Sequence, residues 1–293
     1  MILEAVELTI DEDVLANADA YRRHIENSVA SAQDGGPRLV VFPELAGHLA
    51  LFALSGRKAN TVAGALAQAA VRRPIEMLRG IATTRRMTSR HAVLAALAPD
   101  GERWWKAVFA PLAQKLNAYV VAGSHLRVAT DGALTNASFL FGPNGALLAT
   151  TDKVNLDPGV EDAAPGGLAL DRGEPEAIPI TQTPFGTIAT LIGYDAATEP
   201  RSPHERFVSL PEQLVKRGGV TVLANPAANM PEGLEMTFEA HPVARYGVTA
   251  RLKGKVLDLA YDGGTEIVER TPGRSDGVTV LARGGSASVR ATG

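Results

Sequence analysis

The chain has 293 residues, 45% of them hydrophobic, a formal charge of −3 and no cysteine. That length and composition suit a well-filled core, and the charge balance offers no basic face for nucleic acid. The missing cysteine excludes disulfides, thiolate metal sites and thiol nucleophiles. No run approaches the ~18 apolar residues of a membrane span. No basic patch followed by an apolar core opens the chain, so no secretory signal is expected and a cytoplasmic location is the default.

No Ser/Gly/Pro-rich run and no block of like charge marks a linker, so one domain over 1–293 is expected. Met1 to Ile10 alternates as a strand. A helix with one apolar face follows from Val14 to Val29, capped by Asp11 or Asp13 and stopped by Asp34-Gly35-Gly36-Pro37. Leu39 to Phe42 reads as a buried strand. Pro43 ends it and leaves Glu44 at the strand's C-terminal end, the edge that ligand sites favour in such sheets. The alanine-rich 59–98 predicts helix broken near Pro74, and Trp104 to Leu116 predicts a second helical stretch interrupted by Pro111. The Trp104-Trp105 pair suits a core or interface better than a ligand cage. Tyr119 to Ser124 is a strand, and 137–141 and 146–150 form a hairpin about Gly142-Pro143-Asn144-Gly145.

Lys153 leaves the hairpin's second strand, and Glu161 follows across Asp157-Pro158-Gly159, with loop from Ala163 to Glu176. Thr187 to Ile192 is a buried strand that stops at Gly193-Tyr194-Asp195. The spacing then predicts helix over 204–216, strand over 220–224, helix over 234–252 and strand over 255–261. Beyond Asp262 the chain is Gly-rich, with one candidate strand at 278–281. Alternating strands and helices with an embedded hairpin point to α/β with a mixed sheet or two sheets.

Glu44, Lys153 and Glu161 each stand at or just past a strand end. Residues so placed are often solvated or in plain ion pairs. If they converge, the lysine stays charged between two carboxylates and steadies an oxyanion, and one carboxylate is free to act as general base. That set suits acyl transfer at a carbonyl or nitrile carbon and lacks only a nucleophile. His24, His48, His91, His125, His204 and His241 show no metal spacing and read as surface or satisfied side chains.

These segments resemble the nitrilase superfamily, the carbon–nitrogen hydrolases, over roughly Met1 to Tyr261. Val40-Val41-Phe42-Pro43-Glu44-Leu45 is similar to the family's general-base stretch, and Asp152-Lys153-Val154-Asn155-Leu156 to its catalytic-lysine stretch. Glu161 matches its second glutamate, and Phe185 to Asp195 its nucleophile strand. Val121-Ala122-Gly123-Ser124 and Leu223-Ala224-Asn225-Pro226 are weaker echoes; 262–293 matches poorly. The resemblance implies a four-layer αββα sandwich, a homodimer or higher homo-oligomer, and hydrolysis of amides, carbamoyl groups or nitriles with neither metal nor organic cofactor. It makes Glu44 the general base, Lys153 the oxyanion binder helped by the backbone N–H of Tyr194, and Glu161 the residue that orients lysine or substrate. The family nucleophile is a cysteine, and the matching position is Gly193. Three readings follow: a hydrolysis-deficient protein that keeps an amide-binding pocket, an amidohydrolase using Glu44-activated water, or an otherwise active hydrolase whose nucleophile has been exchanged. The loops 46–60, 158–175 and 226–235 are expected to set specificity.

Overall fold

The computed structural model describes residues 1–29, 36–55, 59–84, 89–164, 167–229, 234–271 and 277–290. Its first strand is two. β1 (Ile2–Ala5) and β2 (Glu7–Ile10) part at Val6, and they join different sheets. Asp11 Oδ1 accepts from Val14 N in a turn ahead of the helix. The helix itself, α1 (Ala18–Asn27), is capped by Asn17, whose side chain accepts from Ala20 N. The stop expected at Asp34-Gly35 falls outside the described residues.

β3 (Arg38–Val41) runs parallel to β1. The segment 46–55, expected as loop, is helix α2 (Ala46–Ser55). Its apolar residues lie on every side, the pattern of a helix buried all round. Next come α3 (Val62–Arg72) and α4 (Pro74–Thr84), with Pro74 opening the second of them as expected. α5 (Ser89–Leu116) is then one continuous 28-residue helix. Pro99 and Pro111 lie inside it and do not end it, because packing on the sheet outweighs the lost N–H donors.

The remaining strands of the first sheet are β4 (Tyr119–Val121), β5 (His125–Val128), β6 (Leu134–Phe141) and β7 (Leu147–Asp152). The expected hairpin is β6–β7. The second sheet takes β8 (Thr181–Thr183), β9 (Gly186–Thr190) and β10 (Val220–Pro226), with α6 (Leu210–Lys216) between the last two. The helix expected over 234–252 is α7 (Leu234–Ala240) followed by a 13-residue strand, β11 (Ala244–Val256). Buried in mid-sheet, β11 loses the polar–apolar alternation that marks a strand. β12 (Leu259–Asp262), β13 (Glu266–Arg270), β14 (Val278–Arg283) and β15 (Ala287–Arg290) complete the chain, so the Gly-rich 262–290 contributes three strands where one was expected.

The sheet orders are β15-β1-β3-β4-β6-β5, with β7 on β6, and β14-β13-β11-β10-β9-β8, with β12 and β2 on β11. Alternation along each strand divides the core. Leu39 and Val41 face Val222, Ala224 and Val248 of the other sheet. Val40 and Phe42 face Tyr21 of α1, Leu49 of α2 and Phe109 of α5. On the far side, Ala189 and Leu223 pack on Leu210 of α6 and Phe238 of α7. The layers are thus helix, sheet, sheet, helix, the expected αββα sandwich. No helix is long and apolar enough to cross a membrane among the described residues.

Candidate active site

Glu44, Lys153 and Glu161 converge. Lys153 is fully buried, and its Nζ donates to Glu44 Oε1 at 2.7 Å, Asp157 Oδ2 at 2.7 Å and Glu161 Oε2 at 2.5 Å. Asn136, on β6, donates through Nδ2 to Glu161 Oε1 at 2.7 Å and to Glu44 Oε1 at 3.1 Å. Arg201 Nη1 donates to the outer oxygen of Asp157 at 2.8 Å.

Local structure fixes each group. Glu44 precedes Leu45, whose φ of 63° is left-handed and unusual for a branched side chain. Ser124 holds that turn. Its Oγ accepts from Leu45 N and its carbonyl from Gly47 N. Gly123 makes the approach possible, because a Cβ there would stand 2.2 Å from the Pro43 carbonyl oxygen. Lys153 N continues the β6 ladder to the Asn136 carbonyl. Glu161 returns to the lysine through the Asp157 turn, where Asp157 N donates to Glu161 Oε2 at 2.9 Å.

Gly193 opens a short 3-10 turn (Gly193–Ala196) at the end of β9. Its φ is +48°, and a Cβ built there meets Glu44 Oε2 at 2.3 Å. Both donors to Glu44 reach Oε1, so Oε2 is the oxygen that covers Gly193. The glycine therefore opens no extra room: the carboxyl fills it. Tyr194 contributes a first-turn N–H, one of those a helix start leaves without an intrahelical acceptor. Its phenol donates to Glu205, and Arg201 stacks on its ring. Asp195 ties this turn to the lysine segment, accepting from Val154 N and, at 2.6 Å, Asn155 N.

Three carboxylates surround one lysine, and the electrostatics divide them. Burial, reinforced by Glu161 and Asp157, outweighs Lys153 and pushes the Glu44 carboxyl up to about 8. Burial alone would lower Lys153, but Glu161, Glu44 and Asp157 overcome it and hold the ammonium well above its usual range. Lys153 and Arg201 likewise overcome burial at Asp157 and hold it low. The lysine is thus held charged among the carboxylates, while the Glu44 carboxyl holds its proton to higher pH than an ordinary glutamate. Burial also raises Asp195 to about 7, against the backbone donors.

The oxygens of Glu44, Asp157 and Glu161 lie within 4.8 Å of one another, the one such grouping with metal-ligand spacing among the described residues. Lys153 Nζ already takes the point where their bonds meet. Asp157 and Asn136 escaped the sequence reading. The first looks like an ordinary turn residue in Asp-Pro-Gly, and the second is one polar position in a strand. His48 and His125 depart from the expected surface or satisfied role. Their ring nitrogens are buried and close no hydrogen bond of ordinary geometry, although backbone at Ser124 and Ala137 slightly favours the protonated rings. Burial dominates and lowers both, His48 to about 3, so both rings are neutral.

Glu44, Asp157 and Glu161 form one end of a cavity of about 570 Å³. His48, Arg201 and Tyr261 also line it. α2, expected as a specificity loop, lines it as a helix, and Val160 and Leu168 do so from the expected 158–175 loop. From 226–235 come Ala228 and Asn229, and 230–233 lie outside the described residues.

Similar folds occur in solved structures. An amidase from Nesterenkonia sp. AN1, seen with acrylamide added at its active-site cysteine, is 16% identical with a TM-score of 0.59, over 99% of this chain and 92% of that one. A carbon-nitrogen hydrolase from Helicobacter pylori G27 is 14% identical with a TM-score of 0.60, over 98% and 88%. A member of branch 10 of the nitrilase superfamily from Saccharomyces cerevisiae is 16% identical with a TM-score of 0.55, over 98% and 89%. A comparison with curated protein sequences gives no match. The carbon-nitrogen hydrolase family model matches residues 5–200, the span that carries β2 to β9 and the whole Glu44–Lys153–Glu161 cluster, and by that match the chain belongs to the carbon-nitrogen hydrolase family.

Proposed function

We propose that this chain is a hydrolysis-deficient carbon–nitrogen hydrolase that binds a small amide, carbamoyl or nitrile ligand, with Gly193 standing where the family has its nucleophile. One observation carries the reading. A lysine is bonded to three carboxylates, one of which covers a glycine, in a chain without any cysteine. Lys153, exchanging one of its three carboxylate bonds for the ligand, and the Tyr194 N–H would receive the ligand's carbonyl oxygen or nitrile nitrogen. Glu161 would hold the lysine, and Glu44 would hydrogen-bond the ligand's amine. Loss of a covalent nucleophile costs several orders of magnitude in rate. The family resemblance also supports a homodimer or higher homo-oligomer, which sedimentation would measure.

A panel of amides, carbamoyl amines and nitriles, followed by calorimetry and by ammonia release, tests this. The native chain is expected to bind members of the panel and release no ammonia. Gly193→Cys is expected to release it, provided Glu44 swings away from the new Cβ. A second reading has its own support: Glu44 Oε2 faces the space over Gly193 and ionises near pH 8, as a base for attacking water would. Ammonia release by the native chain, rising to a plateau above about pH 8, would establish that reading and overturn hydrolytic deficiency.

A further inference from the structure

The cavity has two unlike ends. Its floor is the charged cluster. The rest runs between α2, α3, α5 and β5 and is walled by Leu51, Leu66, Leu94, Leu97 and Leu126, with Ala65 and Ala69 keeping the space open. Leu51 and Leu97 also wall a second, smaller cavity of about 270 Å³, lined besides by Leu54, Arg73, Asp100 and Arg103, and so belong to both spaces. Asp258 Oδ1 accepts from Val62 N at 2.8 Å and fixes the start of α3 over the space.

From this we infer that the ligand held by the polar floor carries an unbranched aliphatic chain, which lies in the leucine arm; the inference rests on the amide-binding reading for its head group. Interiors are close-packed, so an apolar space of this size is not an ordinary packing defect. Water suits it badly. An ordered water needs two to four polar partners, and the side chains of Leu51, Leu66, Leu94, Leu97 and Leu126 offer none. The volume falls within the roughly 300–1,000 Å³ of small-molecule sites. At about 30 Å³ per water-sized group it holds an amide head and a chain of roughly eight to twelve carbons, with slack. Continuity carries the argument further, because Glu44 and Glu161 line the same space as Leu66 and Leu94. A ligand whose head lies against Glu44 and Glu161 has one apolar direction for its chain to take.

The test is calorimetry of the native chain with straight-chain primary amides from four to twelve carbons, beside alcohols of matching length. Affinity for amides is expected to rise about 3- to 4-fold per methylene to a limit near ten carbons. Leu94→Trp, which fills the arm, is expected to abolish that rise, with circular dichroism and thermal unfolding showing that the variant is folded. Leu66→Ala, the second variant, is expected to move the limit to longer chains. Amide affinity independent of length would overturn the chain inference and leave the amide-binding reading standing. A length-dependent rise shared equally by alcohols would support the chain inference and overturn the amide head group. Binding of neither series would overturn both.

Discussion

Two buried charge sites in this molecule invite comparison. At the start of the first sheet, Glu4 on β1 pairs with Arg38 on β3, both buried. At the C-terminal ends of the same sheet's strands, Lys153 meets three carboxylates, one of which leaves an oxygen over Gly193. The Glu4–Arg38 pair holds two parallel strands beside each other and lines no described cavity. The second site sets three carboxylates about one buried lysine, holds the Glu44 carboxyl well above its ordinary range, and borders a cavity. The contrast separates a buried ion pair that joins two strands from a crowded cluster that faces open space.

The sharpest way to break this contrast is Lys153→Met. It strips the central cation from three buried carboxylates, and a loss of about 3–5 kcal/mol in denaturant unfolding is expected. A loss below about 1 kcal/mol would mean the cluster is open to water.

The pH dependence of stability comes next. A carboxyl raised on folding holds its proton more tightly in the folded state. The stability contributed by Glu44 is therefore complete below its ordinary 4.5 and lost as pH rises through about 8; for Asp195 the window runs from 3.8 to about 7. Asp157, held low, acts oppositely and loses its contribution below 3.8. Unfolding free energy is thus expected to peak in mildly acidic solution and fall by a few kcal/mol, in order of magnitude, toward pH 8. Glu44→Gln should flatten much of that fall. An unchanged profile in the variant would show that Glu44 titrates normally.

The smallest effect belongs to the balanced pair. Replacing both partners, Glu4→Leu with Arg38→Met, is expected to change stability by no more than about 1 kcal/mol, since paired buried charges exchange for apolar packing at little net cost. Chemical denaturation of the double variant checks it, and a loss near that of Lys153→Met would erase the distinction between the two sites.

The charged floor was legible in the sequence because strand ends are. Pro43 stops a run of buried aliphatics, and the Gly-Pro-Asn-Gly turn fixes where Lys153 must emerge. The layers were legible from alternating strands and helices. What stayed hidden depends on tertiary surroundings. β11 is covered from both sides and shows no alternation, so its composition reads as helix. α5 runs through Pro99 and Pro111, where local propensity alone predicts a break. Asn136 became part of the site only when β6 placed it between two glutamates. The raised Glu44 carboxyl follows first from its burial and then from Glu161 and Asp157 beside it, none of which spacing along a chain encodes. The apolar arm escaped notice because its leucines look like any helical core until the space between them is seen.

The parting of β1 and β2 at Val6 has a mechanical side. Two consecutive strands, joined by one residue, are welded to opposite sheets: β1 to β3 and β2 to β11. Glu44 rides on the first sheet and Gly193 on the second, so any shear between the sheets would change the gap from Glu44 Oε2 to the glycine directly. The Val6 crossing is a tie bar against that shear, backed by the bond from Val6 N to the Val41 carbonyl three residues before Glu44. The clearance above Gly193 therefore depends on how stiffly the two sheets are bolted together at Val6.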